Sequence, residues 1–149
     1  MILPDLLKET IRSGTIASLL MMPAGFLFKY LGLRVGHYGP KLAMALFDST
    51  APTLLFAQHM VLGWLSALPL LVALKYTNAG ERPVSSGAAY GCAYYLAVNS
   101  IALPIAFGEA TPWELGPGYV LPSLIVHIIF GAAIGYVSGA WVRPRAVNV

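Results

Sequence analysis

The sequence predicts an all-α membrane protein, a bundle of four transmembrane helices in one domain. Hydrophobic residues make up 58% of the 149 residues, and charged residues make up only 10%. A soluble domain carries roughly a quarter of its residues as charged ones, so this chain has too few charges to cover a surface that faces water. Four apolar runs each reach the roughly 20 residues that a helix needs to cross a bilayer. The lipid bilayer is therefore the expected main partner.

The four predicted spans cover about 14–33, 52–74, 84–107 and 119–142. Only the first contains a charged residue, Lys29, whose long side chain can reach the headgroups because it lies one turn from the end of the span. Pro4 and Asp5 suit the start of a helix. We therefore expect an amphipathic extension over residues 4–12 at the membrane surface, with an apolar face made of Leu3, Leu6, Leu7, Ile11 and Gly14.

The distribution of lysine and arginine predicts the orientation, because these residues collect on the cytoplasmic side of a membrane protein. Six of the nine lie in the first segment, the second loop and the tail, and three lie near the first loop. This predicts that both termini and the short second loop lie in the cytoplasm. The six are Lys8, Arg12, Lys75, Arg82, Arg143 and Arg145; the three are Lys29, Arg34 and Lys41.

The second and fourth spans resemble each other. One contains PTLLFAQHMVLG over 52–63 and the other PSLIVHIIFG over 122–131, each with a histidine four residues before a glycine. Two spans separate equivalent segments, so the copies have the same orientation across the membrane. The sequence thus predicts two tandem helical hairpins, about 1–75 and 82–142, related by a pseudo-twofold axis along the membrane normal.

Small residues recur at four-residue spacing in the spans, which permits close approach of helix backbones in lipid. Such stripes predict either packing within the bundle or docking of a second copy or another subunit. The helix-packing glycines are Gly63, Gly87, Gly91, Gly131, Gly135 and Gly139.

Two histidines inside the spans are the strongest candidates for function. His59 and His127 lie seven and five residues past Pro52 and Pro122, which places them at similar depths of roughly 10 and 8 Å. Ionisable residues inside a membrane commonly have functional roles. The pair could bind a b-type haem axially, bind a quinone or another polar headgroup, or pass protons. Alternatively, each imidazole only donates a hydrogen bond to a neighbouring helix.

Gln58 and Asn99 are the other polar candidates, because an amide at such depth needs a hydrogen-bonding partner. No span contains an acidic residue, and no catalytic motif is present, so no catalytic residue is predicted. The single cysteine, Cys92, excludes a cysteine-based metal site. The net charge of +3 is too dispersed to predict nucleic-acid binding.

The motif formed by His127, Gly131 and Gly135, with small residues opening the first and third spans, resembles small bacterial inner-membrane proteins of unknown function, the YagU-like group. The resemblance implies a location in the inner membrane and no chemistry.

Three functions are predicted as alternatives. The first is a non-enzymatic structural or accessory subunit that works by association with other membrane subunits or with copies of itself. The second is an electron-transfer protein that binds haem or a quinone at His59 and His127. The third is a transporter or channel for a small solute.

Overall fold

The structure is a computed structural model that describes residues 3–142, and in that range the chain is helical and contains no strand. Arg143 and Arg145, used above for the orientation, lie outside the described residues. A 3₁₀ turn covers Asn78–Glu81. The helices are α1 (Leu3–Tyr30), α2 (Tyr38–Phe47), α3 (Pro52–Tyr76), α4 (Pro83–Tyr94), α5 (Leu103–Phe107), α6 (Pro112–Leu115) and α7 (Pro117–Val142).

Four helices are long and apolar enough to cross a membrane: α1, α3, α7 and the continuous helix Pro83–Phe107. This continuous helix, called here the third long helix, contains α4, a π-helical segment over Tyr95–Ala102, and α5. The bounds of the last three agree with the predicted spans to within a few residues. The chain reverses between successive long helices, so α2 and α6 lie at one end of the bundle, called here the α2 end.

The first helix covers Leu3–Tyr30. Its start agrees with a helix that begins near Pro4 and Asp5, and the expected extension over residues 4–12 continues into the span without a break, whereas its end lies before the predicted residue 33. It ends at residue 30 because Gly32 adopts a left-handed φ of 76°. The Leu33 amide then bonds back to the Phe28 carbonyl at 2.9 Å, which is typical of a glycine-terminated helix.

The predicted apolar face of residues 4–12 is only partly turned outward. Leu3 and Leu7 are 77% and 58% exposed, whereas Leu6 and Gly14 are buried, as are Glu9 and Thr10. The Glu9 carboxylate accepts two hydrogen bonds from Arg12, at 3.0 and 2.8 Å. Apart from Leu6, the buried residues of this segment are polar or small and the larger apolar side chains face outward, the arrangement expected when the surroundings are lipid.

α7 is the central helix of the bundle. It packs most extensively on α4, then on α1, and it also contacts α3. Glycines bring α4 and α7 together: a Cβ at Gly131 would collide with the backbone carbonyl of Gly87, and a Cβ at Gly135 would collide with the backbone carbonyl of Pro83. Gly139 is different, since its Cβ would meet Pro83 Cγ at an ordinary 3.7 Å.

The half of the bundle away from the α2 end is filled with apolar side chains. Leu71 and Ile134 are fully buried there, and Leu70 and Leu74 are nearly so. The space between the helices therefore lies in the other half, at the α2 end.

A candidate ligand cavity

A cavity of about 730 Å³ lies among the helices at the α2 end. All four polar residues predicted from the sequence line it: Gln58 and His59 from α3, Asn99 from the third long helix, and His127 from α7. The fold therefore brings together side chains from three helices that are far apart in the chain.

His59 joins α3 to α1. Its Nε2 donates to the Ser18 carbonyl at 3.2 Å, so in the neutral ring Nδ1 is the unprotonated nitrogen. Nδ1 has no hydrogen-bonding partner within residues 3–142. One turn further along α3, a side chain at Gly63 would collide with Ser18 Oγ, so this glycine sets the close approach of the two helices.

His127 is held on both ring nitrogens. Nδ1 donates to the Ser123 carbonyl at 2.6 Å, one turn back in α7. This bond leaves Nε2 as the acceptor, and Nε2 receives the Asn99 amide at 3.0 Å. The ring also stacks on Tyr94, with centroids 5.7 Å apart, and contacts the ring of Tyr95.

The π-helical segment positions Asn99. The Leu103 amide bonds to the Val98 carbonyl, five residues back, instead of four. Pro104 follows and has no amide hydrogen to donate, which removes one bond of a regular helix. The wider turn changes the angular position of Asn99 on the helix and directs it at α7. Such segments frequently lie at functional sites.

Three residues on the cavity wall, Ser18, Gln58 and Tyr95, have a polar side-chain atom with no hydrogen-bonding partner within the described residues. Ser18 Oγ belongs to a residue with no exposed surface, and it has no partner within the described chain. Gln58 donates its amide to the Gly39 carbonyl at 2.9 Å, and its Oε1 is also unpartnered there. Buried groups of this kind are costly unless something binds them.

The first turn of α2 covers part of the cavity. Glu109, in the loop before α6, accepts from His37 Nε2 at 3.1 Å and forms an ion pair with Lys41. Tyr38 is buried and stacks on Phe107 with ring centroids 6.0 Å apart. Burial, the charge of Lys41 and the charge of Arg34, in that order, lower the pKa of His37 below its ordinary 6.5.

Ser18, Tyr94 and Tyr95 line the cavity but were not among the predicted site residues. In the sequence, Ser18 lies four residues after Gly14, a spacing of small residues that predicts only helix packing. The tyrosines offered a usable signal, because a buried tyrosine hydroxyl in an apolar helix requires a polar partner. Tyr94 accepts such a bond from Ser66 at 2.9 Å.

Axial binding of a haem iron through both Nε2 atoms would require new positions for both histidines. Each Nε2 already makes a hydrogen bond, to the Ser18 carbonyl in one case and to Asn99 in the other. The haem prediction therefore remains a prediction, and the present geometry favours a hydrogen-bonded organic ligand over it.

Comparison with protein-family models, curated proteins and solved structures finds no match to this chain. The argument about function consequently depends on the cavity alone.

Proposed function

We propose that this protein is a multi-pass membrane protein that binds a small amphipathic molecule in the cavity at the α2 end. The observation that carries the proposal is the convergence of Gln58, His59, Asn99 and His127 on one cavity of about 730 Å³. A pocket that is mostly apolar and has a few converging polar groups is the usual form of a small-molecule site.

The polar groups suit a carbonyl or hydroxyl on the ligand. His59 Nδ1 can accept from a ligand hydroxyl. Ser18 Oγ and Gln58 Oε1 have almost no accessible surface, so they would reach a ligand after a side-chain rotation. A quinone headgroup belongs to this chemical class, as do other polar headgroups with an apolar chain. Electron transfer is an additional step, and it would require redox chemistry supplied by the ligand itself.

Binding of decylubiquinone, a neutral probe with a polar ring and an apolar chain, tests the proposal. We expect saturable quenching of tryptophan fluorescence by the probe when the protein is held in lipid nanodiscs. His59→Ala should weaken binding about fivefold, the effect of losing one net hydrogen bond of about 1 kcal/mol. Tyr136→Ala is the matched control, since Tyr136 is 78% exposed on the outer face of α7. Equal, non-saturable partitioning in every variant would refute the proposal.

The inner membrane of a bacterium, with both termini in the cytoplasm, is the location we propose. The distribution of lysine and arginine supports it, as does the resemblance to YagU-like proteins. In that orientation the cavity lies in the outer half of the membrane. The two-hairpin arrangement with a pseudo-twofold axis is likewise a proposal, supported by the similar segments 52–63 and 122–131.

Association with other membrane subunits or with a second copy also remains a prediction. It depended on the small-residue stripes, and Gly87, Gly91, Gly131 and Gly135 pack on backbone of the chain's own helices. Transport of a small solute likewise stays a prediction, and it would use the same cavity. Within the described residues, no contact supports association or transport as strongly as the convergence of Gln58, His59, Asn99 and His127 supports ligand binding.

A further inference from the structure

We infer that the ligand of this cavity is an amphipathic anion with a hydrogen-bonding group at its far end. Its carboxylate or phosphate lies between Lys29 and Arg34, and its hydroxyl or carbonyl lies about 15 Å away beside Ser18 and His59. The inference rests on the proposed function and adds the chemical class of the ligand.

α1 provides both ends of the site. Along this helix the cavity is lined by Ser18 at its inner end, called here the bottom, and by Lys29 at its end near α2, called here the top. Only apolar residues of α1 line the cavity between them. The two positions are eleven residues apart, which is about 16 Å along a helix. The wall thus has polar groups at both ends and an apolar middle. The residues between are Met21, Met22, Gly25 and Phe26.

The charge of the cavity wall is positive. Lys29 and Arg34 line the cavity, and no aspartate or glutamate does. Within residues 3–142, neither cation has a carboxylate within ion-pair distance. Arg34 is held at the wall, because its guanidinium lies 5.5 Å from the centroid of the Tyr119 ring.

The nearby carboxylates are bound elsewhere. Glu109 is shared by His37 and Lys41. Glu114 caps α6, where its carboxylate accepts from the Thr111 amide at 2.6 Å. Because neither acid neutralises the cavity, its field attracts anions and repels cations.

The bottom of the cavity requires a second polar group on the ligand. An acyl chain that ended there would leave Ser18 Oγ without an acceptor in a region that has no exposed surface. A hydroxyl at that point would donate to His59 Nδ1, and Ser18 Oγ would donate to the oxygen of a hydroxyl or carbonyl after rotation about its Cα–Cβ bond. An extended chain of twelve carbons, with C–C bonds of about 1.5 Å, covers roughly 15 Å.

The test measures binding of radiolabelled 12-hydroxydodecanoate to the protein in phosphatidylcholine nanodiscs at about pH 8, where the carboxylate is ionised. We expect saturable binding. Dodecanoate lacks the hydroxyl and 1,12-dodecanediol lacks the charge, so each should compete about five- to tenfold more weakly than unlabelled hydroxydodecanoate.

Two charge variants test whether Lys29 and Arg34 bind the anionic end of the ligand. Lys29→Gln and Arg34→Gln should each weaken hydroxydodecanoate about fivefold and leave the affinity for the diol unchanged. Lys8→Gln, at the other end of α1, is the matched control and should change nothing.

Two results would overturn the inference. Binding of the diol that is as tight as that of the hydroxy acid and unchanged by both charge variants would show that the site does not select an anion. Displacement of the hydroxy acid by phosphatidylglycerol in the disc would assign Lys29 and Arg34 to lipid headgroups. If neither these probes nor decylubiquinone bind, the proposed function itself fails, so the two failures are distinguishable.

Discussion

His127 shows how one backbone carbonyl can set the chemistry of a side chain. The Ser123 carbonyl accepts the hydrogen bond from Nδ1–H, so Nε2 carries the lone pair and accepts a hydrogen bond from the Asn99 amide. The orientation of the His127 ring is therefore set by Ser123 of its own helix, and its other hydrogen-bonding partner, Asn99, comes from the third long helix. His59 has the opposite tautomer, because there Nε2 is the donor. Two residues that look equivalent in the sequence thus differ in the cavity, because His59 leaves Nδ1 without a partner and His127 leaves neither ring nitrogen free.

Asn99→Leu should lower the free energy of unfolding by about 1–3 kcal/mol, because His127 Nε2 would lose its donor in a mostly apolar site. The measurement is unfolding in mixed micelles followed by circular dichroism. Asn78→Ala, in the exposed turn between α3 and α4, is the control and should stay within about 0.5 kcal/mol of the parent. An equal effect of both variants would show that the amide contact is not stabilising.

The stability of the protein should fall as the pH drops below about 6.5, in part because of His37. Its pKa is lowered in the folded state, so above 6.5 both folded and unfolded chains hold the neutral ring and no stability is lost. Below pH 6.5 the unfolded chain binds the proton more readily than the folded chain does. Protonation therefore lowers the free energy of the unfolded state more than that of the folded state.

His37→Gln isolates this contribution, because it keeps an N–H donor for Glu109 and removes the titration. Melting temperatures of the two proteins between about pH 7.5 and 5.5 give the comparison. The variant should lose less stability than the parent across this range. Parallel curves would show that His37 contributes nothing to the pH dependence.

At the scale of elements, the contact between α4 and α7 depends on the absence of side chains. Gly87 and Gly131 face each other so closely that either Cβ would collide with the opposite backbone carbonyl. In lipid, where helices gain little from burying apolar surface against each other, such close backbone packing is a main source of attraction.

Gly131→Ala should therefore destabilise the bundle by about 1–3 kcal/mol, the usual cost of overpacking. Gly139→Ala is a matched control on the same helix, since its Cβ finds an ordinary 3.7 Å contact. Alanine favours a helix over glycine, so the control should be neutral or stabilising by up to about 1 kcal/mol. Thermal unfolding in detergent measures both. Equal effects would contradict the close packing of Gly131.

The third long helix shows how far length and hydropathy can predict the structure of a span. Its bounds, Pro83–Phe107, are close to the predicted 84–107, because length and apolar composition suffice to predict a span. The π-helical segment inside it was not predicted. Hydrogen bonds that reach back five residues instead of four leave no mark in hydropathy, yet they direct Asn99 toward His127.

The whole molecule divides into a filled half and a hollow half. Close-packed leucines occupy the end away from α2, and the cavity occupies the other end. A rigid half beside an open one is a suitable arrangement for ligand binding, because the filled half fixes the helices while the polar groups keep their positions at the cavity.

The predicted orientation can be tested by cysteine labelling in a Cys92→Ala background. Ala110→Cys, between α5 and α6, should react with a membrane-impermeant maleimide on intact cells. Asn78→Cys, between α3 and α4, should react only after the cells are permeabilised. The reverse pattern would show that the orientation prediction is wrong and would place the cavity in the cytoplasmic half.

The sequence by itself determined the helical class, the four apolar helices and most of their bounds, because those follow from length, hydropathy and proline positions. It also selected Gln58, His59, Asn99 and His127, since polar groups stand out in apolar segments. The tertiary structure was needed to show that these four line one cavity, that His59 leaves Nδ1 without a partner, and that both ring nitrogens of His127 are bound. It also decided that α1 turns Glu9 inward and Leu7 outward. Such facts depend on which helix packs beside which and on single backbone hydrogen bonds, and no local pattern of residues encodes either.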